Sequence, residues 1–172
     1  WTLSSMWGSM TDGTSYYITT RVIDQANNEA GWYNQYSSTF TVDRTSPTAN
    51  FTYPTVSYAR SLAAVSGTSQ DEVPVSGGSL TSGVKKVYVT YYDVTISSWW
   101  NNGNWTSAGS TYTLEGGSLD VWTSTVVPNS SWVHGNQYRV YAWAEDNAVA
   151  SDSNYGNVQE VANVKTFTYD VL

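Results

Sequence analysis

The chain has 172 residues, only 12% of them charged, with seven Lys plus Arg, fourteen Asp plus Glu and a formal net charge of −7, which makes it a poor partner for nucleic acid or an anionic membrane. It has no cysteine and one histidine, which excludes a disulfide framework, thiolate metal ligation and a histidine metal cluster. No apolar run approaches the roughly 20 residues that cross a bilayer. The surface must therefore be built largely from Ser, Thr, Asn, Gly and Tyr, a composition that fits an extracellular or cell-surface setting. Trp1 opens no signal peptide, so the chain is expected to be a mature or excised part of something longer.

In chain order, the first predicted element is YYITTRVIDQA, Tyr16 to Ala26, with Tyr16, Ile18 and Val22 as its apolar positions. It is followed by TFTVD, Thr39 to Asp43, and by DRTSP, Asp43 to Pro47. Pro47 lacks a backbone donor and restricts Ser46 to extended conformations, so this segment reads as a short, stiff linker. Next come TANFTY (Thr48 to Tyr53), SLAAVSG (Ser61 to Gly67) and VKKVYVTYYDV (Val84 to Val94), which places Val87, Val89 and Tyr91 on one face. STYTL (Ser110 to Leu114), DVWTSTVV (Asp120 to Val127), YRVYAWAEDNA (Tyr138 to Ala148) and VANVKTFTYD (Val161 to Asp170) complete the set. Period-two alternation with β-branched and aromatic residues defines half-buried strands. The clusters between them, SGGSLTSG and NNGN among them, are turn chemistry. No amphipathic helical stretch of useful length is present.

Two of these elements are copies. Gly13, Tyr16, Ile18, Val22, Asp24 and Ala26 recur 122 residues later as Gly135, Tyr138, Val140, Ala144, Asp146 and Ala148. TFTVD recurs as TFTYD, Thr166 to Asp170, 127 residues on because the second copy carries a longer loop. Upstream, the WT at Trp1 matches the WT at Trp122, one residue out of register. A strand that fills a core must keep one face and is free to vary the other, so the repetition records packing. The repeated Tyr after a Gly-containing turn has the placement of a tyrosine corner, and the repeated Asp is placed to accept amides of the next turn. The boundaries drawn are 1–46, the C-terminal part of one repeat, and 47–172, a complete one. About seven short strands per unit are what an all-β sandwich with Greek-key connections requires.

DGTSYYITTRVIDQANNEAG followed by FTVDRTSPTANFTYP, and then VSGTSQDE, SGVKKVYVTYYD, WWNNGNW and YRVYAWAEDNA, resemble the bacterial immunoglobulin-like tandem repeats of large surface and adhesin-like proteins. The resemblance covers nearly the whole chain, although the family's D-x-A-G-N turn reads DQANN in the first copy and DNAVA in the second. It implies tandem Ig-like β-sandwich domains, a rod-like array on a cell surface, and structural spacing or adhesion as the work done. The partners it implies are neighbouring Ig-like repeats of the same chain or of neighbouring subunits.

The chemical inventory is thin. His134 sits in the predicted turn SWVHGNQ and reads as a solvated loop residue, without the partners a triad needs. Asp71 and Glu72 are adjacent, and successive side chains of an extended chain point apart, so they form no acid–base pair. Asp43, Asp71, Glu72 and Asp146 are oxygen donors that a domain junction can gather around calcium, but no fixed-spacing loop is present and no ligand set is assigned. No residue is nominated as catalytic, cofactor-binding or metal-ligating. The nine Trp and fourteen Tyr exceed what a small core holds. Trp99, Trp100 and Trp105 in SSWWNNGNW cluster in a turn-rich segment, where three roles stand open: packing over the core, anchoring a protein contact, or stacking on glycans. The sequence thus favours a non-catalytic structural repeat, with a carbohydrate-binding or adhesive module, or an accessory domain of a secreted hydrolase, as the alternatives.

Overall fold

The computed structural model describes residues 6–29, 37–115, 119–149 and 156–171; Trp1 lies outside them. Among the described residues every regular element is a strand except two three-residue 3-10 turns, Trp7–Ser9 and Asn129–Ser131. The chain is all-β, with several sheets, and divides into two units, Trp1–Thr45 with Val73–Ser82 and Ser46–Glu72 with Gly83–Leu172. The sequence places Val73–Ser82 in the second repeat. In the structure it belongs to the first unit, where the Gly78 amide donates to the Asp12 carbonyl at 2.8 Å and the Leu80 amide to the Gly13 carbonyl at 3.0 Å.

The first unit is built on β1 (Thr14–Thr19) and β2 (Ser37–Val42), paired antiparallel with Tyr16 opposite Phe40. Their rings stack at 5.8 Å. Gly13 enters β1 at φ +65°, a left-handed conformation in which a Cβ would also meet the Gly78 carbonyl oxygen at 2.6 Å. The predicted strand Tyr16 to Ala26 is cut short, since regular pairing stops at Thr19 and only the isolated bridge Ile23–Glu29 continues it.

The second unit holds β3 (Thr48–Tyr53), β4 (Tyr58–Ala59), β5 (Val65–Gln70), β6 (Val84–Asp93), β7 (Ser98–Asn101), β8 (Asn104–Thr106), β9 (Tyr112–Glu115), β10 (Val121–Ser124), β11 (Gln137–Asp146) and β12 (Asn163–Tyr169). One sheet runs β10-β5-β3; the other runs β4-β12-β11-β6-β7-β8, with β9 also beside β6. Among the described residues only β4 pairs in parallel, against β12. The predicted strand from Ser61 begins four residues late, at Val65. Side chains occupy the backbone before it: the Leu62 amide donates to Asn129 Oδ1 at 2.8 Å, and Trp132 Nε1 donates to the Leu62 carbonyl at 2.9 Å. That backbone is satisfied without a strand neighbour.

Both sheets of this unit contribute to one apolar cluster. Ala49, Val65 and Trp122 enter it from the smaller sheet, and Val87, Val89, Tyr91, Tyr138, Val140, Ala142, Ala144 and Phe167 from the larger. Burying one such Val or Phe side chain contributes about 2 kcal/mol, and the alternation that does so is the one read in the sequence.

Two phenols inside this unit make it sensitive to alkali. Burial pushes Tyr91, whose hydroxyl donates to Ser124 Oγ at 2.7 Å, and Tyr138, whose oxygen accepts the Val133 amide at 2.8 Å, from 10.0 up to about 12. A raised folded-state value means that the stabilisation is complete below the unfolded value near 10 and is lost as pH rises through about 12. In an alkaline titration, two of the fourteen tyrosines are expected to ionise only as the circular-dichroism signal collapses. Full tyrosinate absorbance with the signal intact would contradict the burial.

Candidate functional site

The two copies match in their atoms as well as their letters. Tyr16 accepts the Thr11 amide at 2.6 Å and Tyr138 the Val133 amide at 2.8 Å, each five residues back, so the tyrosine corner is present twice. The Gly13 amide donates to the Val42 carbonyl and the Gly135 amide to the Tyr169 carbonyl, both at 2.8 Å. Tyr138 stands against Phe167 at 5.7 Å, as Tyr16 stands against Phe40. Asp24 Oδ1 accepts the amides of Ala26 and Asn28 while Oδ2 accepts the Asn28 side-chain amide; Asp146 does the same with Ala148 and Asn157. The Asn28 side chain, followed by its backbone amide, holds the Asp24 carboxyl below the usual carboxylate range. The Asn that completes each loop escaped the sequence reading because the second loop is longer, which hides its equivalence to Asn28.

His134 has a structural explanation within the same comparison. Its Nδ1 accepts the Val171 amide at 3.3 Å, the place taken in the first unit by Asp12 Oδ1, which accepts the Arg44 amide at 2.8 Å. Asp170 lies 3.4 Å from the same nitrogen. The side chain is exposed, as a loop histidine should be, and it ties the end of β12 to the turn before β11.

The three tryptophans of SSWWNNGNW are not gathered in one turn. They lie on the hairpin β7–β8, whose tip is formed by Asn102 at φ +46° and Gly103 at φ +96°. Successive strand residues point to opposite faces, so Trp99 and Trp100 separate. Trp100 is 1% exposed and meets Trp105 at 5.2 Å; Trp105 donates Nε1 to the Ser131 carbonyl at 2.9 Å and packs on Tyr138. These two cap the core. Trp99 alone turns to the other face, 4.6 Å from Tyr92 and 5.8 Å from Tyr141, and Tyr88 stacks on Trp143 nearby in the same sheet at 5.4 Å. Trp99 is tilted by 46° to Tyr92 and by 39° to Tyr141, so these rings pack on one another and make no flat platform.

The acidic residues accept backbone amides and a hydroxyl. In the first unit Asp43 accepts the Ser82 amide at 2.6 Å and the Thr45 amide at 3.2 Å. In the second, Glu72 accepts the Thr48 hydroxyl at 2.7 Å and Asp71 the Gly83 amide at 2.6 Å. Carboxylate oxygens of Asp71 and Asp146 come within 4.8 Å of one another, and the amides donated to each offset their mutual repulsion. Glu145, which the alternation places on the outward face, is 1% exposed. It accepts the Tyr88 hydroxyl, Lys85 Nζ at 3.1 Å and the Gly156 amide at 3.3 Å. Burial pushes its carboxyl up, but the donors from Tyr88, Lys85 and Gly156 outweigh burial and hold it below the usual range. The nearby lysines of VKKV were the only sequence signal for this buried ion pair.

No helix among the described residues is long and apolar enough to cross a membrane. No protein-family model and no curated protein matches the chain.

Proposed function

We propose that the chain is a non-catalytic structural module, a pair of tandem Ig-like β-sandwich repeats with Greek-key connections, from a long extracellular, cell-surface or filament-forming protein. The observation that carries this reading is the duplication of backbone-capping chemistry, Tyr16 with Tyr138 and Asp24–Asn28 with Asp146–Asn157. In each case the repeated polar groups are spent on the chain's own amides, which is the economy of a scaffold. Its partners on this reading are neighbouring repeats of the same kind. Purified protein should turn over no common ester, peptide or glycoside substrate. Hydrolysis that survives purification and disappears in Glu145→Gln, the variant of a buried carboxylate paired with Lys85, would overturn the assignment.

A carbohydrate-binding or adhesive role is the second reading, favoured by Trp99 lying beside Tyr92 and Tyr141 on the outward face. Aromatic side chains with neutral polar neighbours suit sugar rings as well as protein contacts. A glycan array with Trp99→Ala as control separates the two readings. Binding lost in that variant supports the second; no binding leaves the scaffold.

A further inference from the structure

We infer that a cavity beside Trp143 in the second unit is a binding site for the trimethylammonium head of a choline-type ligand. The inference does not rest on the scaffold reading, because it concerns residues that the repeated capping chemistry does not use.

The cavity comes from a mismatch of chain lengths. Ala142 of β11 lies opposite Asn163, where β12 begins, and Glu145 is bridged to Val158. Two residues of β11, Trp143 and Ala144, therefore stand against four on the other side, Gln159, Glu160, Val161 and Ala162. The longer segment bows away from β11 and leaves a cavity of about 270 Å³ lined by Trp143, Val158, Gln159, Glu160 and Ala162. Its walls are held in place. The Gln159 amide donates to the Ala144 carbonyl at 3.0 Å and the Asp146 amide to the Asn157 carbonyl at 3.1 Å. The Gln159 side chain is bonded at both ends, Oε1 accepting the Ala49 amide and Nε2 donating to the Val161 carbonyl, each at 2.8 Å. A cavity fixed in this way needs little ordering when it is filled.

The lining selects the ligand. Tyr88 stacks on one face of the Trp143 indole at 5.4 Å and 16°, so the remaining face is the one a ligand can meet. Glu160 is exposed, and no described residue donates to its carboxylate. An aromatic face beside an unpaired carboxylate, on a chain of net charge −7, attracts an organic cation. With the Gln159 carboxamide already bonded, the side chains offer a sugar hydroxyl little beyond Glu160. Val158 and Ala162 present apolar wall, which suits methyl groups better than a hydrated primary ammonium whose three donors need acceptors. The volume is below the roughly 300–1,000 Å³ of pockets for drug-sized ligands, which matches a head group and not a larger ring system.

The probe is choline, titrated into the isotope-labelled 172-residue chain. It should saturably shift the Trp143 indole N–H and the signals of Val158 and Ala162. Its neutral isostere dimethylbutanol, with carbon in place of nitrogen, should bind about fivefold more weakly, the size of an exposed cation–π contact. Glu160→Gln, at an exposed position, should weaken choline binding about threefold and leave the isostere unaffected. Trp143→Ala should abolish binding, with unchanged signals of Tyr138 and Val140 reporting an intact core. Phosphatidylcholine vesicles form a second arm. Co-sedimentation that free choline competes away assigns the head group to a lipid, and choline binding without co-sedimentation assigns it to a soluble or polymer-borne ligand. No saturable shift at these residues, equal affinity for choline and its isostere, or undiminished affinity in Glu160→Gln would each overturn the proposal.

Discussion

Trp122→Ala is expected to cost about 4 kcal/mol of unfolding free energy, measured by denaturant titration followed through the aromatic circular-dichroism bands. The indole is 1% exposed, meets Phe51 edge-on at 5.5 Å and donates Nε1 to the Thr68 carbonyl at 3.1 Å. Gly67 is the floor on which it lies. A Cβ there would come within 1.9 Å of the Asn50 carbonyl oxygen and 2.2 Å of the indole ring, so Gly67→Ala should destabilise the same sheet by about 3 kcal/mol through overpacking. If the two substitutions act through one contact, their costs will fall short of additive when combined. A loss below about 1 kcal/mol for Trp122→Ala would mean that the smaller sheet does not close on the larger as described.

The second large effect separates the two copies of the corner. Tyr138→Phe removes the acceptor of the Val133 amide from a fully buried ring and should cost about 2 kcal/mol. Tyr16→Phe removes the same bond to Thr11, but water can replace it there, so its cost should be clearly smaller. Burial raises the Tyr138 phenol, whereas the Thr11 amide lowers that of Tyr16. One hydrogen bond thus serves two environments. Equal losses from the two variants would show that the repeated bond, and not its burial, carries the energy.

What was legible in the sequence was what period two encodes. The strands Val84–Asp93 and Gln137–Asp146 appear with Val87, Val89, Tyr91, Tyr138, Val140 and Ala144 inward, because alternation and side-chain direction are one geometric fact. The corner tyrosines and the capping aspartates were legible because local hydrogen bonding depends on short spacings. The hairpin carrying Trp99, Trp100 and Trp105 presents itself in the sequence as a turn-rich segment. Its Asn102–Gly103 tip is a hairpin turn signal, and the same period then sends Trp99 and Trp100 to opposite faces. Glu145 keeps the outward place that alternation gives it, beside Tyr88, but the bridge to Val158 and the Gly156 amide cover that face and bury its carboxylate, a long-range covering with no local sequence signature. The grouping of Val73–Ser82 with the first unit depends on the close approach of Gly78 to Gly13, a long-range contact with no local sequence signature.

One β-pattern is used twice, with its apolar face buried at Val140 and Ala144 in the second unit and exposed at Ile18 and Val22 in the first. Residue-resolved hydrogen exchange on the 172-residue chain tests it most directly, because exchange rates report local opening free energies. Amides of Val140 and Ala142 should exchange only with global unfolding of the second unit, and those of Ile18 and Thr20 at least a hundredfold faster. Equal protection at the two sets of positions, in a chain shown to be monomeric by light scattering, would contradict the claim.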